Sequence, residues 1–560
     1  MKPKIAEALY ARHEQYWDRQ KSELRKFRAA YMTKYWDNDY GSNQVLIETT
    51  RAYEYIEGYI ASLFSRNPSV IVKGDVRGKG EPDKVQALCN AFLDNVRNQI
   101  EDVSRLALIY PCAFLKLYAT DHPDPFKRVA CSAIAAWDCI VDVDASAWNQ
   151  QKFVGHRYYI THAEAKAKYG NRQYTTHQLV RFLDNPNGHD NNANYMGMNI
   201  NELNEAGFEV DSPFEYVQIV EFFDLVNNKM YVWSPDYKNG EKWLYDGVEV
   251  EVGLEGETTK FDQIPFTDAA DHPIAPIIPL YFSRQPDVPL RGYSALQRVY
   301  SQVEETNIIR TYQATMVRRA ARQWIVKKGV YSDEEMAKLA LGADGEYIEA
   351  ELSMGQSLEG SIQAVPHTQV PTELETYINQ VNEDFQRGSV LAPFTRGQAT
   401  RATATEVTAL ASYSSSEIGR LARERDSMIE HTASVYISMM KIFLKDDTDV
   451  IVLNGQPDVV RGEDIDGDFS FYALDAGSTP VSEAVKKQEF FQAVNILMQL
   501  GVPQQKLLEE MVRKLDLPED FLSSQLEGGQ EIAQPQNQPS QTATIESGQQ
   551  GSPQAVAEVL

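Results

Sequence analysis

The chain has 560 residues and a formal net charge of −26, and this acidity argues against tight nucleic-acid binding over its whole surface. Hydrophobic residues make up 43% of the chain and aromatic residues 10%, which is enough for several large folded cores. The chain contains no run of 18 or more apolar residues, so we expect no membrane span, and its polar, basic N-terminus does not resemble a secretion signal.

The first 120 residues predict helices followed by strands. Residues 1–35 interleave aromatic residues with Lys and Arg, which predicts an amphipathic helix docked on its own domain. An arm that faces nucleic acid is the alternative for the same pattern. Apolar spacing predicts two further helices at 49–64 and 84–107. Short strands are expected at 69–72 and 109–118.

Two carboxylates, Asp142 and Asp144, close an apolar segment at 130–143. If this segment is a strand, both side chains point to one face, where they could bind a divalent cation or act as acid and base. No histidine or third carboxylate accompanies them at a recognisable spacing. A strand end with an Asx turn is the structural interpretation of the same pair.

A short helix and a β-rich block follow. Thr161 is expected to cap a helix over 161–169, and Gly170 to end it. The block spans residues 215–282, with a turn expected at Asn227 and Asn228. Strands are predicted at 217–225, 230–233, 243–252 and 277–282. Pro279 places the last of these at the edge of a sheet, because proline cannot donate to a central ladder.

Two helices that flank a mixed insertion form the next unit. The break at 289–293 contains Gly292, and Ser294 with Gln297 predicts a capping box for a helix over 294–321. A second helix is predicted over 372–387, antiparallel to the first. The insertion between them predicts strands at 323–327, 346–352 and 361–365 and an acidic helix at 333–341.

One very long helix is predicted after a loop at 389–402. The loop carries Phe394, Arg396 and Arg401. No proline interrupts the helical pattern from Ala404 to Phe443, which at 1.5 Å per residue gives about 60 Å. Ser414 and Arg425 break its apolar stripe, so a uniform coiled coil is not expected. A helix of this length is typical of a structural spine.

The C-terminal region predicts a small α/β cap and then disorder. Short strands at 450–460 and 469–474 precede helices at 482–500 and 504–515. Beyond about residue 527, Gln, Pro, Ser, Gly and Thr dominate and aromatic residues are absent, which predicts a disordered tail.

Recognisable catalytic and cofactor motifs are absent from the sequence. The chain has no Walker loop, no H-E-x-x-H, no G-x-S-x-G and no dinucleotide fingerprint. The four cysteines form no C-x-x-C pair, so we expect neither a zinc site nor disulfides, and no cofactor. We therefore predict a protein that is not an enzyme.

The order of the predicted elements resembles that of a known family. A helical and β N-terminal body, a glycine break, a helix, an α/β insertion, a second helix, a loop and a long helix follow one another. The long helix opens with Arg-Ala-Thr-Ala-Thr-Glu-Val at 401–407. This order resembles the portal, or head-to-tail connector, proteins of tailed double-stranded DNA bacteriophages, especially the short-tailed group. The resemblance covers residues 30–520 and rests on element order more than on strict motifs.

The resemblance implies a mainly helical α+β fold that assembles as a closed ring of about twelve subunits at one capsid vertex of the virion. The implied parts are a wing body (1–290), a first stem helix (291–321), a clip (322–370), a second stem helix (371–387), a channel loop (388–402), a long wing helix (403–445) and a helical crown (446–524). The tail, predicted from composition, occupies the remaining residues, 525–560. The Asn-rich stretch at 185–194 and the Gln-rich tail depart from the family pattern.

The same resemblance implies a structural role in genome packaging and ejection. DNA would pass through the ring, and Phe394, Arg396 and Arg401 would lie in the channel loop, where the arginines either touch phosphates transiently or pair with a neighbour's carboxylate. In the clip, Lys327, Lys328, Asp333 and Glu334 either dock the terminase large subunit and the tail adaptor or form an ordinary solvated surface. Capsid and scaffolding proteins are further implied partners; a membrane is not. Assembly would take place in the cytoplasm of the bacterial host.

Two alternatives from other classes stay open. One is a metal-dependent nucleic-acid enzyme that uses Asp142 and Asp144. The other is a virion structural protein without a channel. Ring symmetry distinguishes the second, and loss of activity on replacing Asp142 distinguishes the first.

Overall fold

The computed structural model describes most of the first 474 residues. The described residues are 1–36, 46–65, 67–74, 80–120, 122, 127–176, 215–238, 243–246, 248–252, 257–261, 263–268, 272–285, 292–320, 324–328, 330–341, 349–351, 362–364, 372–389, 404–444, 448–453 and 456–474. They belong to one compact unit, Met1–Val485, and Lys486–Leu560 form a second. The predicted Asn-rich loop, the helices at 482–500 and 504–515 and the C-terminal tail lie outside the described residues.

Four helices build the N-terminal part of the fold. They are α1 (Pro3–Tyr31), α2 (Arg51–Leu63), α3 (Pro82–Asn95) and α4 (Arg97–Ile109). Helix α1 begins with proline in its first turn and buries one face, including Trp17 and Leu24, so the predicted docking on its own domain is confirmed. The single helix predicted at 84–107 was wrong. It is divided at Val96, whose backbone leaves the helical region after Asp94 and Asn95, two residues of low helix propensity.

A three-stranded antiparallel sheet lies next to these helices. It consists of β2 (Ala113–Ala119), β3 (Val129–Ala135) and β11 (Ile277–Leu280), in the order β11-β2-β3. Pro279 lies in the edge strand, as predicted, so its missing N–H leaves no gap in a central ladder.

A second antiparallel sheet has five strands in the order β4-β5-β6-β7-β8. Its strands are β4 (Cys139–Val141), β5 (Phe153–Thr161), β6 (Tyr216–Asp224), β7 (Lys229–Trp233) and β8 (Tyr245–Asp246). The sequence did not predict β5, which pairs with β4 and β6. Asn228 adopts a positive φ of 51° in the predicted turn between β6 and β7. Helix α5 (His162–Tyr169) follows β5 with the predicted capping box, formed by Thr161 and Glu164.

The remaining strands form pairs. β9 (Val248–Val252) pairs with β10 (Glu257–Phe261), β12 (Trp324–Val326) with β13 (Ile362–Ala364), and β14 (Thr448–Leu453) with β15 (Gln456–Arg461). β1 (Val70–Gly74) pairs with β16 (Phe469–Ala473), so a strand from near the end of the described chain closes against the N-terminal part. The four-residue helix α10 (Gly462–Ile465) lies between β15 and β16.

Four longer helices occupy the second half of the described chain. They are α6 (Tyr300–Ala320), α7 (Asp333–Leu341), α8 (Thr372–Ser389) and α9 (Ala404–Phe443). Helix α9 has 40 residues, and its bounds confirm the prediction of an uninterrupted helix from Ala404 to Phe443. In the described part of the chain, every helix is too short or too polar to span a bilayer.

The main hydrophobic core surrounds the C-terminal half of α9. Met428, Tyr436 and Met440 are buried there against α2, α3 and the three-stranded sheet. The rings of Tyr436 and Phe92 stack at 4.1 Å with an interplanar angle of 9°. The predicted spine is therefore a core element, and the fold is α+β.

A cluster of buried charges joins α1 to the five-stranded sheet. Arg157, on β5, donates to the carboxylates of Glu14 at 2.8 Å and Asp138 at 3.0 Å and to the carbonyl of Trp137 at 2.8 Å. Tyr10 also donates to Glu14. Burial raises the pKa of Glu14 to about 7, because lost hydration outweighs the attraction of Arg157.

The raised pKa predicts a pH dependence of stability. Between pH 4.5 and 7 the folded state holds a proton on Glu14 that the unfolded state has lost, so stability falls as pH rises across this window. The effect amounts to at most about 3 kcal/mol. We expect Glu14→Gln to gain stability relative to the wild type between pH 5 and pH 8, measured by urea denaturation. The exposed Glu7→Gln variant on the same helix is the control. A difference between Glu14→Gln and wild type that does not change with pH would contradict the raised pKa.

Candidate functional site

Helices α6 and α8 form an antiparallel pair, as the sequence predicts. Gly388, near the end of α8, lies against Val299, just before α6, and a Cβ on this glycine would approach the Val299 side chain to 3.2 Å. Further along, the hydroxyl of Tyr377 on α8 donates to Glu305 on α6. The two helices therefore run in opposite directions, with Val299 and Gly388 at one shared end.

Arg51 anchors this helix pair to the body of the protein. From the first turn of α2, its guanidinium donates to Thr306 on α6 at 3.0 Å and to Asn382 on α8. The guanidinium carbon also lies 5.4 Å from the ring centroid of Phe385. One side chain therefore holds both helices. Nothing in the local sequence pattern indicates this role, because the partners lie 255 and 331 residues away.

The structure fixes the start of the predicted channel loop. Ser389, the last residue of α8, is fully buried, and its carbonyl accepts a 2.7 Å hydrogen bond from the hydroxyl of Tyr59. Burial raises the pKa of Tyr59, so this hydroxyl stays a donor at any ordinary pH. Phe394, Arg396 and Arg401 lie outside the described residues, which resume at Ala404.

A charged junction links the helix pair, the long helix and the sheet. Glu417 on α9 pairs with Arg298 at 3.2 Å and with Arg420 at 2.9 Å, and Arg420 donates to the carbonyl of Phe282 at 2.6 Å. The hydrogen bonds from Arg420 hold the pKa of Glu417 below its usual value. Arg284 and Glu424 add a 2.8 Å pair. The direction of α9 relative to the start of α6 is therefore set by paired charges.

The structure corrects the predicted capping box at Ser294. This residue is buried, and its hydroxyl donates to the carbonyl of Ile109 at 2.6 Å while it accepts from the N–H of Leu296. Gln297 instead lies in a short 3₁₀ turn, Leu296–Arg298, that precedes α6. The Ser294 hydroxyl donates to the carbonyl at the end of α4, because this carbonyl would otherwise be buried without a donor.

The insertion has two of its three predicted strands. β12 pairs with β13, and α7 lies between them in sequence, as predicted. The predicted strand at 346–352 was wrong in its described residues, 349–351. The N–H of Glu349 binds the side chain of Glu335, and the N–H of Glu351 binds the carbonyl of Val330 at 2.8 Å, so both donate outside any ladder.

All four candidate docking residues of the insertion are exposed. Lys327 and Lys328 follow β12, and Asp333 and Glu334 open the first turn of α7. Acidic side chains are favourable at this position, because the N-terminal end of a helix carries partial positive charge. The insertion therefore exposes two basic and two acidic side chains to solvent.

Asp142 and Asp144 form a turn. The carboxylate of Asp142 accepts the backbone N–H of Asp144 at 3.2 Å, the hydrogen bond of an Asx turn, so the structural interpretation of this pair is confirmed. Asp142 is buried, and its backbone is held on both sides by the amide of Gln151. Asp144 is exposed beside Arg12 at 3.6 Å.

Neither metal nor thiol chemistry is assembled in the described part of the chain. No group of three or more His, Cys, Asp or Glu side chains is arranged there to hold a metal ion. The four cysteines are free and buried, and burial raises the pKa of Cys89 and Cys131, which keeps them in the unreactive thiol form.

No protein-family model matches this chain, and no curated protein matches it. Among solved structures, it is similar to one described as "Neck of empty GTA particle computed with C6 symmetry". The two share 10% identity at a TM-score of 0.40, over 81% of this chain and 90% of that one. A similarity at this level supports no conclusion about function.

Proposed function

We propose that this protein is the subunit of a portal ring, the head-to-tail connector of a tailed double-stranded DNA bacteriophage. The observation that carries the proposal is the arrangement of α6, α8 and α9. Two antiparallel helices carry an α/β insertion at one end, and at the other end a 14-residue connection leads into a 40-residue helix that enters the core. The family resemblance implies this order of stem, clip, channel loop and long wing helix.

The physical properties of the chain support a ring that DNA slides through. A closed ring needs two different faces on each subunit, and long helices supply such faces. A net charge of −26 keeps DNA from adhering tightly to most of the surface, which suits passage through a channel. In this proposal the chain is a structural component of the virion, and the motor that packages DNA is a partner terminase.

The proposal gives roles to the predicted site residues. The predicted channel loop, 388–402, carries Phe394, Arg396 and Arg401, and about twelve copies of it surround the channel. Lys327, Lys328, Asp333 and Glu334 belong to the clip surface that docks the terminase large subunit and later the tail adaptor. Residues 446–524 contribute the crown.

Electron microscopy of the purified protein tests the proposal. We expect top views of closed rings with a central hole and about twelve-fold symmetry. The same reconstruction shows whether the predicted channel loop, 388–402, lines the hole and whether the insertion lies at an exposed end of the ring. A protein that stays monomeric, even when it is produced together with its capsid and scaffolding proteins, would contradict a portal.

The docking role has a separate test on the assembled rings. Rings with Lys327→Glu, Lys328→Glu, Asp333→Lys and Glu334→Lys should lose binding to the terminase large subunit. A matched variant of exposed residues on the body, Lys166→Glu and Lys229→Glu, should retain it. Equal binding by both variants would remove these four residues from the docking surface and leave the ring proposal intact.

A further inference from the structure

Helix α1 carries a straight stripe of basic residues on its solvent face. Lys4, Arg12, Arg19 and Lys26 are spaced by eight, seven and seven residues, which places them on one face of the helix. The residues between them on that face are small or polar: Ala8, Gln15 and Ser22. All seven positions of this stripe are exposed.

The segment that contains α1 is basic, whereas the chain as a whole is acidic. Residues 1–36 contain nine Lys or Arg and four Asp or Glu, a net charge of +5 in a chain whose total is −26. One of the acids, Glu14, is turned inward and bound by Arg157. Of the four acids only Glu7 and Glu23 are exposed, and on the helical wheel they lie to either side of the stripe. Lys21 is buried as well, so the exposed and half-buried residues of this segment keep the net charge of +5.

Arg12 of the stripe has an acidic neighbour but stays open to solvent. Asp144 lies 3.6 Å from Arg12, but both side chains are about two-thirds exposed, and such surface pairs are weak. Lys152, which is also exposed, lies 3.9 Å from Asp142 on the same side of the molecule. It lines one cavity together with Arg12 and Arg19, so it adds a further cation beside the stripe.

We propose that this stripe binds the phosphate backbone of double-stranded nucleic acid. At 1.5 Å per residue, Lys4 and Lys26 lie about 33 Å apart, close to one turn of B-form DNA. Cations about 10 to 12 Å apart along this line contact phosphates without reading bases, so binding is independent of sequence. Weak binding, with a Kd in the micromolar range or above at physiological salt, is expected.

The composition of the stripe favours a nucleic acid over an acidic protein surface. Protein interfaces have a desolvated apolar core, often with aromatic anchors. Between its cations the stripe offers only Ala8, Gln15 and Ser22, none of which is such an anchor. This binding goes beyond passage through a channel, because the stripe lies on the body of the subunit, and it does not depend on ring formation.

Fluorescence anisotropy with a labelled 30-base-pair duplex tests the proposal on the full chain between 50 and 200 mM NaCl. The test variant is Arg12→Gln/Arg19→Gln/Lys26→Gln. The matched control, Lys166→Gln/Lys229→Gln/Lys238→Gln, removes three exposed charges from the side of the five-stranded sheet. Circular dichroism and light scattering confirm that both variants keep the fold and assembly state of the wild type.

We expect the test variant to bind at least about tenfold more weakly at 50 mM NaCl. Its slope of log K against log[salt] should fall by about 2 to 3, at roughly 0.9 for each lost phosphate contact. The control should bind within about twofold of the wild type. The proposal would be overturned if the wild-type protein failed to bind the duplex or if the test variant bound like the control. The second result would mean that the stripe contacts an acidic protein partner or only solvent. Neither result bears on ring formation.

Discussion

Replacement of Arg425 by alanine is expected to lower the free energy of unfolding by about 3–5 kcal/mol, one of the largest single effects in this chain. Arg425 is a fully buried cation in the middle of α9. Its guanidinium donates to the carbonyl of Leu63, the last residue of α2, and to the carboxylate of Asp426 at 2.9 Å. It also lies 5.8 Å from the ring centroid of Phe64. The alanine variant would leave a cavity and a buried carbonyl at the negative end of a helix without a donor.

A graded series separates these contributions. Arg425→Met fills most of the cavity but leaves the Leu63 carbonyl without its donor, so we expect a loss of about 1–3 kcal/mol. Arg425→Lys keeps one charged donor but lacks the planar guanidinium group. We expect it to lose less stability than Arg425→Ala. Arg423→Ala, two residues away on the exposed face of the same helix, is the control and should change stability by less than about 0.5 kcal/mol. The measurement is urea denaturation of each purified variant. Equal midpoints for Arg423→Ala and Arg425→Ala would mean that the buried contacts do not stabilise the fold.

Arg425 also shows what local sequence pattern predicts and what it does not. The spacing of apolar residues and the absence of proline give the bounds of α9 correctly, because both are properties of the segment itself. The same pattern presents Arg425 as a break in the stripe. Its role depends on a carbonyl 362 residues away, which no local pattern contains.

Strand β5 was missed for the same physical reason. Its middle residue, Arg157, is a poor candidate for a buried strand position until Glu14 and Asp138 are brought to it from elsewhere in the chain. Of the candidate site, exposure of the charged residues around α7 was predictable from their own sequence. The anchoring by Arg51 and Tyr59 was not, since both bind partners that become neighbours only after folding.

Gly292→Ala is expected to destabilise the protein by about 3 kcal/mol or more, because overpacking against backbone has no flexible side chain to relieve it. A Cβ at Gly292 would lie 1.7 Å from the carbonyl oxygen of Pro111 and 2.9 Å from that of Ser283. The segment that follows is clamped on both sides. The N–H of Tyr293 donates to Ser283 at 2.8 Å, and the N–H of Ala295 donates to Leu108 at 2.9 Å. Any movement that relieves the clash therefore strains these hydrogen bonds.

Gly419→Ala is a matched control for which we expect the opposite effect on stability. Gly419 lies within α9, and a Cβ there would have no neighbour within 4 Å. Alanine at this position should stabilise the helix by about 0.5–1 kcal/mol. Thermal denaturation of the two variants should therefore give shifts in opposite directions, and a stable Gly292→Ala protein would mean that the chain rearranges at this crossing.

Since Gly292 lies where the N-terminal body leads into α6, the proposed ring adds a second consequence. A shift here would tilt the helix pair and its insertion, so we expect the Gly292→Ala subunit to form fewer closed rings than the Gly419→Ala subunit.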